Sequence, residues 1–380
     1  MRIVVKLAKL ASFFGFQYEP ILIRELLKII IKPHSIIPEN LSSVNIINDE
    51  LNSIRIRIYS PKTNTDNFFP AMIYFHGGGY VLNSIDTYHS ILLKICHEAQ
   101  IVIITFDYPL APENKYPIPI EECSKMTNYL LTNLDNYNLN IDFNRIVLAG
   151  DSAGANITIT VSNQLKEKNE CLPKLQILIN PPTQFFNMLM PCMIKYSSFE
   201  KNMPREKLIL WHMGFTNIKE YHSDFLIKNY HTLLVDETLR AKYMTYTDFN
   251  LIPEKYKKDL VYYQSYEKII QIVYPKTMSK DYERLDENFK SCVKNIFNVN
   301  ISPGLADDIF LSKQPQTFIT ISEWDTRKDE GLIYAQRLSN NGVKVDIGYY
   351  ENGFHTSFLN QDKAGCDMIN DVISYLKENV

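Results

Sequence analysis

The chain has 380 residues, enough for one large domain or for one domain with a substantial insertion. With 45% hydrophobic and 22% charged residues and a formal net charge of −3, it has the composition of a soluble globular protein, and no dense Lys/Arg block predicts nucleic-acid binding. The six cysteines are scattered without a CxxC spacing, so we expect free or buried thiols rather than a metal site or a disulfide framework.

The N-terminal segment is apolar but carries Arg2, Lys6 and Lys9 at helical spacing. No run in it reaches the roughly 18 uncharged residues that a membrane-spanning helix needs. It also lacks a small-residue cleavage site after a compact apolar core. Residues 1–40 are therefore interpreted as a helical segment that caps the protein or lies on a membrane surface, and the pattern favours the cap.

Short runs rich in Ile and Val then alternate with stretches of helical periodicity. The predicted strands are Ser43–Asn48, Ile54–Tyr59, Ala71–Phe75, Ile101–Phe106, Arg145–Ala149, Leu175–Asn180, Thr317–Ser322 and Val343–Tyr350. The predicted helices are Thr87–Ala99, Pro119–Leu134, Ala153–Lys168, Lys328–Asn340 and Lys363–Glu378. The first two strands indicate a hairpin, and the later order of strand, helix and strand predicts an α/β fold with a mostly parallel eight-stranded sheet flanked by helices.

One region breaks this alternation. Residues 183–297 are helical, aromatic and charged in pattern, with no clear strand. An insertion of that size between two strands is expected to form a helical cap over the carboxyl edge of the sheet, where ligands of open α/β sheets bind. The core of the α/β fold would then comprise residues 41–182 and 298–380.

The first motif with chemical meaning is GxSxG. The stretch NRIVLAGDSAGANI takes a strand into Gly150, Asp151, Ser152, Ala153 and Gly154 and then into a helix. In this pattern the serine occupies a sharp, strained turn that exposes its hydroxyl, while the flanking glycines let strand and helix approach closely. Ser152 is therefore the candidate nucleophile.

The second motif, HGGG, follows the third predicted strand. Acyl transfer passes through a tetrahedral intermediate with a negative oxygen, which preorganised backbone N–H groups stabilise. A loop without side chains can aim such groups at a substrate, and the residue after the nucleophile supplies another. We expect Gly77, Gly78 and Ala153 to form the oxyanion hole, with Gly79 shaping the turn and His76 bracing the loop.

A serine nucleophile needs a base, and the base needs an orienting acid. Asp325 follows the strand Thr317–Ser322, and His355 follows the last strand, so both fall on the same sheet edge as Ser152. Asp329 and Glu330 are nearby rivals for the acid. They lie in the following helix and are expected to point away.

These motifs together resemble a known family. The sequences HGGG, DYPLAPENKYP, GDSAGAN, SPGLADD, WDTRKDEGLIYAQRL and GFH are similar to the hormone-sensitive-lipase-like branch of α/β-hydrolases, and most of all to arylacetamide deacetylases, from about residue 40 to the end. The chain departs from the usual DYRLAP at Pro109, from GDSAGGN at Ala155, and from DPLRDEG in residues 325–331. By matched position the resemblance implies Ser152 as nucleophile, Asp325 as acid and His355 as base.

The resemblance implies a serine hydrolase that cleaves carboxylic esters or aryl amides without a cofactor. Many of the aromatic and methionine residues after the sixth strand must pack the core of the cap, but so apolar a segment is also expected to line its inner face, which predicts apolar small-molecule substrates. The motifs contain no cluster of Lys or Arg that would bind a carboxylate.

The resemblance also implies association with the endoplasmic-reticulum membrane, whereas the lack of an anchor in this sequence leaves a cytoplasmic protein as the alternative. A non-catalytic small-molecule receptor on the same fold is the rival function. Receptors resembling this branch have lost the catalytic histidine, and His355 is present.

Overall fold

The structure is a computed structural model that describes residues 21–25, 43–62, 68–168, 173–199, 204–218, 223–258, 263–266, 276–277 and 285–380. Most of the N-terminal segment 1–40, including Arg2, Lys6 and Lys9, lies outside these residues. Residues 21–25 are helical, and Ile23 within them is buried in the core. Among the helices described, none is both long enough and apolar enough to cross a membrane.

Eight strands form one sheet, as the sequence predicts. They are β1 (Val44–Leu51), β2 (Ile54–Pro61), β3 (Phe69–Phe75), β4 (Val102–Phe106), β5 (Ile141–Asp151), β6 (Leu175–Ile179), β7 (Gln316–Ser322) and β8 (Val345–Tyr350). Their order across the sheet is β1-β2-β4-β3-β5-β6-β7-β8. The pairs β1–β2 and β2–β4 are antiparallel and the other five pairs are parallel, which confirms the predicted fold class.

The helices that flank this sheet also fall close to their predicted bounds. They are α1 (His89–Ala99), α2 (Ile118–Asn133), α3 (Ala153–Glu167), α10 (Lys328–Asn340) and α12 (Lys363–Asn379). Between β6 and β7 lie α4 (Pro191–Tyr196), α5 (Arg205–Thr216), α6 (Ser223–Ile227), α7 (Glu237–Tyr246), α8 (Glu287–Asn295) and α9 (Asp308–Leu311), and α11 (Ser357–Asn360) follows β8. No strand occurs in the described part of residues 183–297.

Two buried apolar clusters cover the two faces of the sheet. Side chains alternate along β3, where Met72 and Tyr74 join a cluster with α1 and α12. Ala71, Ile73 and Phe75 point to the opposite face and join a cluster with α2, α3, α10 and the helices after β6. Because both faces are covered, the central strands are apolar throughout, as expected for a parallel sheet.

Five of the six cysteines lie in the described part of the chain, and all five are free thiols. Cys96, Cys123, Cys192 and Cys292 are buried and Cys366 is exposed. This agrees with the expectation of free or buried thiols, while Cys171 lies outside the described residues.

The elbow between β5 and α3 depends on a close backbone approach. A Cβ atom on Gly154 would overlap the carbonyl oxygen of Phe75 and lie 2.8 Å from that of His76. The obstructing atoms belong to the backbone at the end of β3 and cannot rotate away. Glycine is therefore required at this position if the strand and the helix are to keep their separation.

We predict that Gly154→Ala lowers the free energy of unfolding by about 3 kcal/mol, because the backbone must shift to admit the methyl group. Gly331→Ala in α10 is the matched control. Its Cβ would approach the flexible end of the Ile321 side chain at 2.6 Å and lie in ordinary contact with the Pro181 ring, at 3.8 Å. Chemical denaturation of both variants measures the difference, and equal stabilities would contradict the close-approach account.

Candidate active site

Ser152 forms the junction between β5 and α3. The strand ends at Asp151 and the helix begins at Ala153, so a single residue makes the turn. Its backbone angles are φ 49° and ψ −124°, and a positive φ is uncommon for a residue other than glycine. A strained turn of this kind holds the hydroxyl clear of the backbone at the carboxyl edge of the sheet.

The structure brings together Ser152, Asp325 and His355, which follow β5, β7 and β8 respectively. The Oγ atom of Ser152 lies 2.8 Å from Nε2 of His355, and Nδ1 of His355 lies 2.9 Å from each carboxylate oxygen of Asp325. Asp325 is almost completely buried, and its Oδ1 atom also accepts the backbone N–H of Arg327 at 2.8 Å. The carboxylate is thus fixed by two donors from different directions.

These contacts determine the tautomer of His355. A carboxylate only accepts, so Nδ1 carries the proton, and the Nε2 lone pair faces the hydroxyl of Ser152. Burial alone lowers the pKa of His355, but the charge and hydrogen bond of Asp325 outweigh it and raise that pKa above its ordinary value of 6.5. The arrangement can therefore accept a proton from Ser152 and stabilise the resulting imidazolium.

The two rival acids make other contacts. Asp329 accepts the Tyr263 hydroxyl at 2.7 Å and the backbone N–H of Cys192 at 2.7 Å. Glu330 forms a buried ion pair with Arg327 at 2.8 Å and accepts backbone N–H groups from the chain that leaves β6. Both carboxylates tie α10 to the segment between β6 and β7, and neither contacts His355.

The N–H of Gly77, which was expected to bind the oxyanion, has hydrogen-bond partners within the protein. This N–H donates to Oδ1 of Asp151 at 2.8 Å and approaches the Tyr88 hydroxyl at 3.1 Å, so it is already used. Asp151 also accepts the hydroxyls of Tyr74 at 2.9 Å and Tyr88 at 2.8 Å. Desolvation raises the pKa of Asp151 while these donors oppose the shift, and the Gly77 amide is needed to offset the cost of burying the carboxylate.

The remaining amides of the loop are better placed. Gly78 and Gly79 both line the pocket beside Ser152, as does Ala153, and in the described part of the chain no acceptor takes their N–H groups. Gly79 has φ +63°, in agreement with its predicted role in the turn. His76 is buried and stacks on Tyr108 with ring centroids 4.3 Å apart, in agreement with a bracing role.

A cavity of about 170 Å³ opens beside Ser152. Its walls are mostly apolar and come from the loop after β3, from α5, from the segment around α11 and from the N-terminal helical stretch. The apolar side chains include Ile23, Leu82, Leu208, Trp211, Phe358 and Leu359. A pocket with an apolar wall and a few polar groups is typical of small-molecule sites.

Most of the aromatic and methionine side chains after β6 pack in the core, as expected for many of them, and do not line this pocket. The segment in question contains Phe185, Phe186, Met188, Met190, Met193, Tyr196, Phe199, Trp211, Met213 and Phe215. Trp211 is the member of this set that lines the pocket as described, and the others pack within or against the apolar core. Most of the surface of these side chains is buried in the core between α10 and the helices after β6.

Two cations that sequence reasoning missed also line the pocket. Arg327 and Lys207 both face it, although no cluster of Lys or Arg in the motifs predicted a cation there. Nζ of Lys207 lies 5.6 Å from the centre of the Trp211 ring. The signal for Arg327 was its departure from DPLRDEG, in which a leucine occupies the corresponding place.

The chain is similar in sequence to known α/β-hydrolases. A family model described as alpha/beta hydrolase fold matches residues 72–223 and 268–359. The chain is 31% identical to human arylacetamide deacetylase-like 3 over 313 residues, which is 80% of this chain and 69% of that protein. It is 30% identical to bovine arylacetamide deacetylase over 337 residues, which is 87% of this chain and 78% of that protein.

Solved structures are similar in fold. A thermophilic carboxylesterase from a metagenomic library superposes with a TM-score of 0.66 at 20% identity. The superposition covers 95% of this chain and 97% of the esterase chain. An esterase from Rhizomucor miehei superposes with a TM-score of 0.67 at 19% identity. That superposition covers 96% of this chain and 91% of the esterase chain. Both comparisons support the fold described above.

We predict that the pKa of His355 in the folded protein lies above 6.5 and falls in Asp325→Asn, because the carboxylate that favours the imidazolium loses its charge. NMR titration of the imidazole resonances measures it, and His355→Gln identifies the signal among the eight histidines. Asp329→Asn is the control and should leave that pKa in place. A larger shift in the control than in Asp325→Asn would contradict the assignment of the orienting acid.

Proposed function

The chain belongs to the α/β-hydrolase-fold family, in its arylacetamide-deacetylase-like group, and on that premise we propose that it cleaves esters through Ser152, His355 and Asp325. It is a carboxylic ester hydrolase of the deacetylase type. The observation that carries the proposal is the 2.8 Å contact between the Ser152 hydroxyl and the unprotonated nitrogen of His355. This is hydrogen-bonding distance for proton transfer from a nucleophile to its base.

In this mechanism the Oγ atom of Ser152 attacks the carbonyl carbon of the substrate while Nε2 of His355 takes the hydroxyl proton. The tetrahedral intermediate collapses, the imidazolium gives its proton to the leaving alcohol or amine, and an acyl-serine remains. Water then attacks the acyl group with His355 again as base, and the proton returns to Ser152 as the acid departs. Asp325 stays ionised and orients the imidazole throughout.

We infer that the oxyanion is bound by the amides of Gly78, Gly79 and Ala153, with Gly77 serving the Asp151 carboxylate instead. Two facts support this revision of the expected set: the Gly77 N–H is occupied, and Gly78 and Gly79 line the pocket. Removing one donor of this kind from a hydrolase costs roughly 2.7–4 kcal/mol of transition-state stabilisation.

We propose that the substrate is an apolar ester or aryl amide. We also propose that residues 183–297 form a helical cap over the site. The apolar pocket walls support the first proposal, and the helices between β6 and β7 support the second. Association with a membrane surface through residues 1–40 stays a proposal that rests on the sequence pattern alone. The receptor alternative gains no support, since His355 is present and hydrogen-bonded to both partners.

Replacing Ser152 by alanine should lower ester turnover by about 10⁴-fold or more, because the nucleophile is removed while the fold is left in place. Nitrophenyl ester hydrolysis measures the rate. Ser162→Ala, at a buried serine in the helix that follows Ser152, is the matched control and should retain turnover. A Ser152→Ala protein as active as its parent would show that the pocket does not use this residue.

The value of kcat/KM should rise as the acyl chain lengthens from acetyl to hexanoyl, since each buried methylene contributes up to about 0.8 kcal/mol, and should fall once the chain outgrows the cavity. A carboxylate-bearing ester should be a poor substrate, because Glu330 already pairs with Arg327, and Asp151 faces the same pocket as Lys207 and opposes its charge. A nitrophenyl ester panel tests both points. A preference for the anionic ester would contradict the apolar-substrate proposal without affecting the triad.

A further inference from the structure

Arg327 is held rigidly at the wall of the pocket. It follows Asp325 by two residues, and only 3% of its surface is exposed. Nη1 donates to Oε1 of Glu330 at 2.8 Å, and the guanidinium lies 5.3 Å from the centre of the Phe185 ring. Glu330 is itself fixed by the backbone N–H groups of Thr183 and Gln184, at 2.8 and 2.9 Å. The side chain therefore cannot swing away to find water.

The other terminal nitrogen of this guanidinium has no acceptor among the residues that the structure describes. Nη2 of Arg327 is buried, and no hydrogen-bond partner for it lies among the described residues. Leaving a buried donor unpaired costs about 1–3 kcal/mol, and more when the group is charged. Since Arg327 lines the pocket that contains Ser152 and His355, an acceptor on a bound molecule can meet this need.

His212 offers the opposite kind of group in the same pocket. Its ring packs on the same Phe185 ring, with centroids 4.0 Å apart. Nδ1 lies 2.6 Å from the carbonyl oxygen of Leu208, which can only accept, so Nδ1 carries the proton and Nε2 presents a lone pair. Burial and the charge of Arg327 lower the pKa of His212 to about 3, which keeps the ring neutral.

Charge balance determines what kind of molecule fits. The positive charge of Arg327 is matched by Glu330 on its other side, and Asp151 lines the same pocket. Lys207, the other described cation that lines this pocket, lies over the Trp211 ring. With Glu330 and Asp151 matching the two cations, a full negative charge on the ligand would not be balanced. An uncharged group that accepts one hydrogen bond and donates another satisfies Arg327 and His212 together.

We propose that Arg327 and His212 form a polar subsite that selects esters or amides bearing a second, uncharged hydrogen-bonding group, either a hydroxyl or a secondary amide, on an otherwise apolar body. The inference rests on the proposed function, because the subsite lies in the pocket of Ser152. Arg327 and His212 act here as specificity-determining residues, since they recognise a part of the substrate away from the scissile bond.

The test compares matched substrates within each enzyme preparation, so that any loss of folded protein cancels. Nitrophenyl esters of four- to eight-carbon acids carry a terminal methyl, hydroxyl, methoxy, acetamido or carboxylate group. A second series of acetate esters carries the same groups on the alcohol side, so that either orientation of the substrate is covered. The quantity measured is kcat/KM for each polar ester divided by that for the apolar ester of equal length.

Arg327→Met should lower this ratio for hydroxyl, methoxy and acetamido esters by about tenfold or more. A change of this size is expected when a hydrogen bond to a charged donor is lost. His212→Phe keeps the ring packing and should lower the ratio only for the hydroxyl and acetamido esters, because methoxy has no proton to donate. Lys328→Met, the neighbouring buried cation that packs over Tyr196 and Tyr263, is the control and should leave every ratio unchanged.

Ratios that Arg327→Met and His212→Phe leave unchanged would overturn the proposal, as would a parent enzyme that prefers the carboxylate ester. If Arg327→Met does not fold, the methoxy-to-hydroxyl contrast in His212→Phe decides alone. Failure of the proposed function is distinguishable, since the parent would then not hydrolyse even the apolar esters, or Ser152→Ala would hydrolyse them equally well.

Discussion

The geometry of the site depends on one partly buried carboxylate, Asp151. It is the last residue of β5 and immediately precedes Ser152, yet it accepts the N–H of Gly77 from the loop after β3 and the hydroxyls of Tyr74 and Tyr88. A carboxylate removed from water needs such donors, so the elbow and the glycine loop are held at one separation. With Gly77 fixed in this way, Gly78 and Gly79 are left to face the space above Ser152.

Three acidic residues in the turn after β7 and the first turn of α10 make different contacts. Asp325 orients His355, Asp329 accepts from Tyr263 and the Cys192 N–H, and Glu330 holds Arg327 and the chain leaving β6. The segment between β6 and β7 is thereby tied to the same turn that carries the orienting acid. The position of Arg327 in the pocket is consequently fixed relative to that segment by short hydrogen bonds through Glu330.

The strands and the flanking helices could be predicted because Ile- and Val-rich runs and helical periodicity reflect burial on a covered sheet. The hydrogen bond from Gly77 to Asp151 could not be predicted, because a motif shows which amides lack side chains but not that a neighbouring carboxylate competes for one of them. The aromatic residues after β6 could be predicted to be buried, but not which of them reach the pocket, since that depends on packing between distant segments. Only Arg327 left a local sign, a charged residue where the related pattern has leucine.

The central claim is that Ser152 is a nucleophile activated by His355. Reaction with a fluorophosphonate, followed by mass spectrometry of the digested protein, tests it most directly because the reagent forms a stable bond only with an activated serine. The account predicts one added phosphonate on the peptide that contains Ser152, and its loss in His355→Ala. An unlabelled folded protein, a label on another serine, or undiminished labelling of Ser152 in His355→Ala would contradict the account.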